Sequence, residues 1–136
     1  MAAPNISPIY SRVAQINWGS VAAANAALDG TGTVVTVFTA DATNGGRVEK
    51  VRILHLGTNI ATVLRLFIND GLGTTAVHNS LYAEITVPAN TISQVAASVP
   101  QEIALPLVLP PGYKLNVTVG TTIAAGVQVS APGGAY

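Results

Sequence analysis

The alternation of apolar and polar residues along the chain predicts short β-strands separated by turns. Between residues 81 and 87 apolar side chains alternate with polar ones, and residues 113–119 repeat this alternation. A two-residue period is typical of a strand with one buried face. Gly, Pro, Asn and Asp interrupt each run, for example at Asn44-Gly45, and these residues favour turns. We therefore predict strands over residues 15–18, 33–39, 48–56, 61–68, 81–87, 103–109, 113–119 and 123–130.

Two features of the second half predict how the strands are arranged. Residues 88–100 form the longest connection, and this length suits a crossing between two sheets. Pro106 has no backbone N–H, so strand 103–109 should lie at a sheet edge or carry a bulge. Short strands without a convincing helix indicate an all-β fold, an antiparallel β-sandwich of seven to eight strands. A jelly roll is favoured over an immunoglobulin-like sandwich.

The two ends of the chain are expected to lie outside this sandwich. Pro4 and Pro8 fix the backbone and favour extended neighbours, so residues 1–14 are predicted to form an extended N-terminal arm. Residues 15–130 would form the β-sandwich domain. Residues 131–136, rich in Gly and Pro, are predicted to form a flexible C-terminal tail.

The composition indicates that something other than water covers part of the protein surface. Only 9% of the residues are charged and 49% are hydrophobic, whereas about a quarter of the residues in ordinary soluble domains are charged. The net charge is zero, which argues against nucleic acid as a partner because phosphate binding depends on clustered Lys and Arg. The chain lacks the run of about 18 uncharged apolar residues that a membrane span requires. We therefore expect neither nucleic acid nor a membrane as a partner.

Residues that could carry catalysis are few and scattered. The chain has no Cys and only two His, His55 in a predicted strand and His78 in a loop, a set that seldom makes a metal site. The spacing of Glu49 and Glu84 does not show whether they could pair as glycosidase carboxylates. Three carboxylates lie in turn sequences, where Asp bends the backbone: Asp29, Asp41 and Asp70. We predict a non-enzymatic protein with no catalytic residues, no metal and no cofactor.

Two predicted strands carry apolar residues on both faces, which points to an interface. In strand 61–68 the second face consists of Val63, Arg65 and Phe67, and residues 33–39 show the same pattern. Aromatic residues and Arg are enriched at interfaces, although a loop or the arm of the same chain could cover this face instead. The predicted subunit or capsid contacts are Pro4, Ile6, Pro8, Tyr10, Trp18, Val63, Arg65 and Phe67.

Several segments resemble small structural proteins of tailed bacteriophages. These segments are residues 29–33 leading into 34–40, then 44–47, 57–69 and 109–113. Within that group the nearest role is the capsid decoration, or cement, protein. The resemblance implies a β-sandwich subunit, commonly trimeric, that binds the outer surface of an icosahedral shell and reinforces it. Its motifs are turn and strand signatures, so it carries over no catalytic residue.

The expected function is that of a non-enzymatic phage virion protein that decorates and stabilises the capsid exterior as a homo-oligomer. Its expected partners are the major capsid protein of the shell and further copies of itself, as a homotrimer made in the host cytoplasm. The alternative is a glycan-binding, receptor-binding module of a tail or head fibre. In that case Tyr82, Tyr113 or Trp18 would stack on a sugar.

Overall fold

The computed structural model describes residues 12–136, and most of them lie in β-strands. A single-turn 3₁₀ helix, Ala76–His78, precedes the fifth strand. Each predicted strand overlaps an observed one. The strands are β1 (Val13–Val21), β2 (Val35–Thr39), β3 (Gly46–His55), β4 (Thr62–Asn69), β5 (Asn79–Val87), β6 (Gln101–Leu109), β7 (Lys114–Val119) and β8 (Val127–Ala135).

The strand order identifies the fold as a jelly roll. Sheet 1 has the order β1-β8-β3-β6, and sheet 2 has the order β2-β7-β4-β5. First and last strands therefore pair, as do second and seventh, third and sixth, and fourth and fifth, all antiparallel. This nested pairing arises when one long hairpin rolls up into two sheets. It differs from the strand order of an immunoglobulin sandwich, so the predicted jelly-roll sandwich is confirmed.

Aliphatic side chains fill the space between the two sheets. Strand alternation turns every second residue inward, and each large aliphatic side chain buried in this way contributes about 1.5–3 kcal/mol. The fully buried members of this core include Val37, Phe38, Val48, Val51, Leu64, Leu66, Leu115, Val117, Val127 and Val129.

Both predictions about strand arrangement are confirmed. Residues 88–100 lead from β5 in sheet 2 to β6 in sheet 1, which makes them a crossing between sheets. β6, which contains Pro106, lies at the edge of sheet 1. The register between β3 and β6 also shifts next to Pro106, so this strand has both the edge position and the irregularity that Pro requires.

The boundaries of the sandwich differ from those predicted. β1 begins at Val13, so Val13 and Ala14 belong to the sandwich, and residues 1–11 lie outside the described part. β8 continues through Ala135 and pairs with both β1 and β3, so residues 131–135 form strand where the sequence predicts a tail. Gly133 permits this close pairing, because an added Cβ would overlap the carbonyl group of Arg47.

The connections between strands gather at two ends of the sandwich. One end contains the loops 56–61, 88–100 and 120–126, and we call it the charge-free end because none of these residues is charged. The other end contains the loops 40–45, 70–78 and 110–113. We call it the charged end because Asp41, Asp70 and His78 lie there.

Candidate docking surfaces

The base of the charge-free end is held together by two asparagines. The backbones of Asn59 and Asn90 exchange hydrogen bonds with N···O distances of 2.9 and 3.0 Å. The buried side chain of Asn59 accepts from the Ala125 N–H at 2.9 Å and donates to the Gly126 carbonyl at 2.8 Å. The backbone and side chain of Asn59 together thus join all three loops, and a network of this kind rigidifies the backbone beneath the surface.

Above this base the loops present aliphatic side chains to solvent. Val95 and Val99 are 97% and 83% exposed, and Leu56, Ile60 and Ile92 are also exposed. A groove of about 450 Å³ lies beside Ile60, between loops 56–61 and 88–100. Charge depletion and exposed aliphatic groups are typical of the core of a protein interface. The charge-free end therefore has the chemistry of a docking surface.

The loop that carries Val95 and Val99 is ordered by local hydrogen bonds. The Ser93 hydroxyl accepts from the N–H groups of Val95 and Ala96 at 3.1 and 3.2 Å. The Ile92 N–H donates to the Thr58 hydroxyl at 3.1 Å, which ties the loop to the base of this end. These bonds position the tip while leaving its aliphatic side chains free to make contacts.

The charged end is organised differently, by carboxylates that bond their own loops. Asp41 accepts from the N–H groups of Thr43 and Asn44 at 3.0 and 2.8 Å. Asp70 accepts from the Leu72 N–H at 2.9 Å, and its other oxygen lies 2.9 Å from His78 Nδ1. These contacts confirm turn roles for both carboxylates. The bond with His78, followed by that from Leu72, lowers the pKa of Asp70.

Asp29 has the same turn role elsewhere in the chain. Its carboxylate accepts from the Thr31 N–H at 3.1 Å and from the Thr31 hydroxyl. Those two bonds, with that of the hydroxyl first, lower the pKa of Asp29. The turn role predicted for Asp29 is therefore confirmed.

A second apolar surface follows β1, an edge strand of sheet 1. Trp18 and Ile16 lie on the outer face of β1 and are 64% and 62% exposed. A groove of about 460 Å³ separates these residues from β2. β1 pairs with β8 on one side, and within residues 12–136 no strand is hydrogen-bonded to its other side, although β2 of sheet 2 lies nearby. An exposed apolar edge strand promotes association unless a partner covers it, so Trp18 remains a candidate contact.

The other predicted contacts on the described strands are largely covered. Phe67 is 0% exposed although it points away from the core. The side chain of Arg65 is 16% exposed, with its Nε 3.6 Å from the carboxylate of Glu84. Val63 is half-buried. Contact of a partner with Phe67 would therefore require the surrounding structure to open.

Residues 22–34 of the same chain lie across this face. At one end the Asn25 N–H donates to the Val119 carbonyl at 2.8 Å. At the other end Gly30 lies so close to Asn79 that an added Cβ would be 2.6 Å from the Asn79 Cβ. These two contacts are at opposite ends of sheet 2, so the segment spans the length of β4. This path agrees with the alternative that the sequence left open, in which a loop of the same chain covers the second face of strand 61–68.

The remaining predicted positions do not converge on one site. Pro4, Ile6, Pro8 and Tyr10 lie outside the described residues. Tyr82 is half-exposed on β5, the edge of sheet 2 that is furthest from β2, whereas Trp18 on β1 lies beside β2. Tyr113 packs against the core. These three aromatic residues therefore do not form a shared platform for a sugar.

The histidine and glutamate candidates occupy separate places as well. Glu49 lies in sheet 1, 2.9 Å from Arg47, and Glu84 lies in sheet 2. His55 Nδ1 is 3.1 Å from the side-chain nitrogen of Asn59. Within residues 12–136 there is no group of three or more His, Asp or Glu that could hold a metal ion. The same residues contain no helix long and apolar enough to cross a membrane.

Comparison with known proteins found no family, and its matches among solved structures are distant. No protein-family model and no curated protein matches the chain. In the structure of infectious bursal disease virus strain Gx, a chain is 11% identical with a TM-score of 0.36; the match covers 97% of this protein and 35% of that chain. A chain of the T13 particle of the same virus is 13% identical, with a TM-score of 0.36 and coverages of 96% and 35%. A chain of strain Gt is 11% identical, with a TM-score of 0.35 and coverages of 96% and 37%.

The protein thus spans about a third of the length of these viral chains. Likeness at this level assigns neither a family nor a function to it.

Proposed function

We propose that this protein is a non-enzymatic structural protein of a tailed-bacteriophage virion. It decorates and stabilises the outer surface of the icosahedral capsid as a homotrimer, with the major capsid protein as its partner. The resemblance of residues 29–40, 44–47, 57–69 and 109–113 to phage structural proteins supports this role. The jelly roll is compatible with it, because capsid proteins use this fold, as do lectins and cupins.

The charge-free end is the observation that carries the proposal. An isolated soluble domain gains nothing from Val95 and Val99 in water, whereas burial of each side chain against a partner is worth about 1.5–3 kcal/mol. The Asn59 network already orders the backbone beneath these side chains, which lowers the entropy lost on binding. We therefore assign attachment to the shell to the charge-free end.

Contact between copies is assigned to a different surface. Trp18 and Ile16 lie on the edge strand β1, away from the loops of the charge-free end. Trp residues contribute a large share of the energy of many interfaces. Three copies joined there would present three charge-free ends to the shell, and the resulting avidity would retain a subunit whose single contact is weak.

The N-terminal residues contribute to the same assembly in this proposal. β1 begins at Val13, at the charged end of the sandwich. We assign residues 1–11 a contact with a neighbouring subunit, since their point of attachment is remote from the loops that we assign to the shell. Deletion of residues 1–11 should therefore reduce trimer stability and leave each sandwich folded.

Co-sedimentation with capsids of the parent phage that lack this protein tests the assignment of the shell contact. The double substitution Val95→Asp and Val99→Asp should lower shell binding at least tenfold, because it places charge in the interface. Leu72→Asp with Val77→Asp is the matched control, since these residues are 80% and 84% exposed at the charged end. The control should bind like the wild type; equal loss in both variants, or loss only in the control, would overturn the assignment.

Light scattering of the free protein tests the contact between copies. The wild type should have three times the monomer mass, and Trp18→Ser should shift the protein towards monomer. A monomeric wild type that does not sediment with shells would contradict the decoration role and favour the glycan-binding alternative.

A further inference from the structure

A pocket of about 270 Å³ lies on the outer face of sheet 2, next to the charged end. β2 and β7 supply one wall, with Thr36, Lys114 and Asn116 among the lining residues, and loop 70–78 supplies the other. The volume falls just below the range of about 300–1,000 Å³ that is usual for drug-sized ligands. The pocket therefore suits an occupant about as large as a single sugar ring.

Lys114 gives this pocket an uncompensated positive charge. It makes no ion pair with any residue between 12 and 136, whereas Arg47, Lys50, Arg52 and Arg65 all lie near a glutamate. The nearby carboxylate of Asp70 is engaged with His78 and with the Leu72 N–H, and it does not line the pocket. Lys114 is the charged side chain among the lining residues, and an anionic group in the pocket would be attracted to it.

Asn116 adds a hydrogen-bond donor that the protein leaves unused. The residue is only 5% exposed, and its Oδ1 accepts from the Thr36 hydroxyl at 2.7 Å. Its Nδ2 makes no hydrogen bond with another residue between 12 and 136, and Asn116 lines the pocket. An acceptor on a ligand could therefore bond this donor without breaking a hydrogen bond between described residues.

Hydrogen bonds and close packing fix the wall of the pocket that lies opposite Lys114 and Asn116. The Asn69 side chain donates to the Gly73 carbonyl at 2.8 Å and accepts from the Gly71 N–H at 2.7 Å. Gly71 has φ 78° and packs against Gly112 so closely that a side chain would overlap the carbonyl group there. A pocket with a preordered wall loses little entropy when a ligand enters.

We propose that this pocket binds a sugar acid, with the carboxylate placed between Lys114 Nζ and Asn116 Nδ2. The hydroxyls of Thr36 and Thr74 can bond the ring hydroxyl groups, and Val34 and Leu72 supply apolar contact with the ring. The pocket lies away from the charge-free end and remains open when that end is covered. The proposal does not depend on the capsid role.

Calorimetric titration of the whole protein with methyl glucuronide tests this site. Methyl glucoside, acetate and inorganic phosphate are the comparison ligands. The glucuronide should bind, Lys114→Gln should weaken that binding at least tenfold, and the neutral glucoside should not bind. Lys50→Gln is the matched control because Lys50 lies on sheet 1 and pairs with Glu102, and it should bind like the wild type.

Three results would overturn the proposal. They are absence of glucuronide binding, equal binding by Lys114→Gln and Lys50→Gln, and binding of acetate or phosphate as tight as that of the glucuronide. The last result would show an anion site without sugar recognition. Thermal unfolding of Lys114→Gln should match that of the wild type, and Thr36→Val offers a second variant that removes a hydroxyl without changing charge.

Discussion

The two ends of the sandwich differ in the side chains that form hydrogen bonds with the backbones of their loops. At the charged end, Asp41 and Asp70 bond the N–H groups of their own loops. At the charge-free end, Asn59 and Asn90 bond neighbouring loops to one another. Both ends expose aliphatic side chains, Leu72 and Val77 at one and Val95 and Val99 at the other. Only the charged end also carries carboxylates, because the loops of the other end are held without them.

Gly71→Ala should have the largest effect on stability, because it would disrupt the close backbone contact between Gly71 and Gly112 at the charged end. Gly71 has a positive φ, and a Cβ would overlap the carbonyl oxygen of Gly112. Strain and clash together should lower the free energy of unfolding by about 3–5 kcal/mol, measured by urea denaturation.

Gly112→Ala is the matched control for this substitution. Gly112 also has a positive φ, of 79°, but an added Cβ would meet nothing within 4 Å. Gly112→Ala should lower the free energy of unfolding by about 1–2 kcal/mol, which is the cost of the left-handed conformation alone. Equal losses in the two variants would show that the contact between Gly71 and Gly112 contributes nothing.

Asn59→Ala should have the next largest effect, because it removes the side-chain amide that joins loop 56–61 to loop 120–126. The Ala125 N–H would be left without a partner, and the Gly126 carbonyl would keep only its bond from the Leu56 N–H at 3.1 Å. We expect the free energy of unfolding to fall by about 2–3 kcal/mol and hydrogen exchange in residues 120–126 to accelerate.

Asn90→Ala provides the comparison at the same end. The Asn90 side chain makes one bond, to the Gly57 carbonyl at 3.2 Å, and the backbone pairing with Asn59 would survive the substitution. The expected loss is about 1 kcal/mol. A larger loss from Asn90→Ala than from Asn59→Ala would contradict the central role given to Asn59.

Acidification should have the smallest effect, and it should act on the charged end. The pKa of Asp70 is lowered by its bonds with His78 and Leu72, so the folded state binds a proton there less readily than the unfolded state. The resulting stabilisation is complete above about pH 4, the ordinary range of Asp, and is lost as the pH falls through the folded pKa.

Asp70→Asn isolates this acid response. Urea denaturation should show the wild type to be more stable than Asp70→Asn at pH 6, with the difference shrinking at pH 3. The loops of the charge-free end contain no carboxylate. NMR should therefore show larger acid-induced changes in residues 70–78 than in those loops. A difference between the two proteins that stays constant from pH 6 to pH 3 would contradict the assignment.

Much of the strand framework could be predicted because it depends on local pattern. Alternation over residues 81–87 and 113–119 located β5 and β7, and Pro106 indicated an edge strand because a missing N–H excludes a central position. The candidate site was harder to find. The absence of charge from loops 56–61, 88–100 and 120–126 was visible in the sequence, but their meeting at one end depends on the order of strands in two sheets.

The alternation of strands and turns and the unusually low charge follow from the order of residues in the chain. These properties arise from neighbours in the chain, whose spacing is fixed by covalent geometry. The packing of the sheets, by contrast, makes residues 131–135 part of a strand, takes residues 22–34 from Val119 to Asn79 across sheet 2, and places Lys114 and Asn116 in one pocket. Each of these depends on contacts between residues distant in the chain, and the free energy of such contacts appears only when the two sheets have packed together.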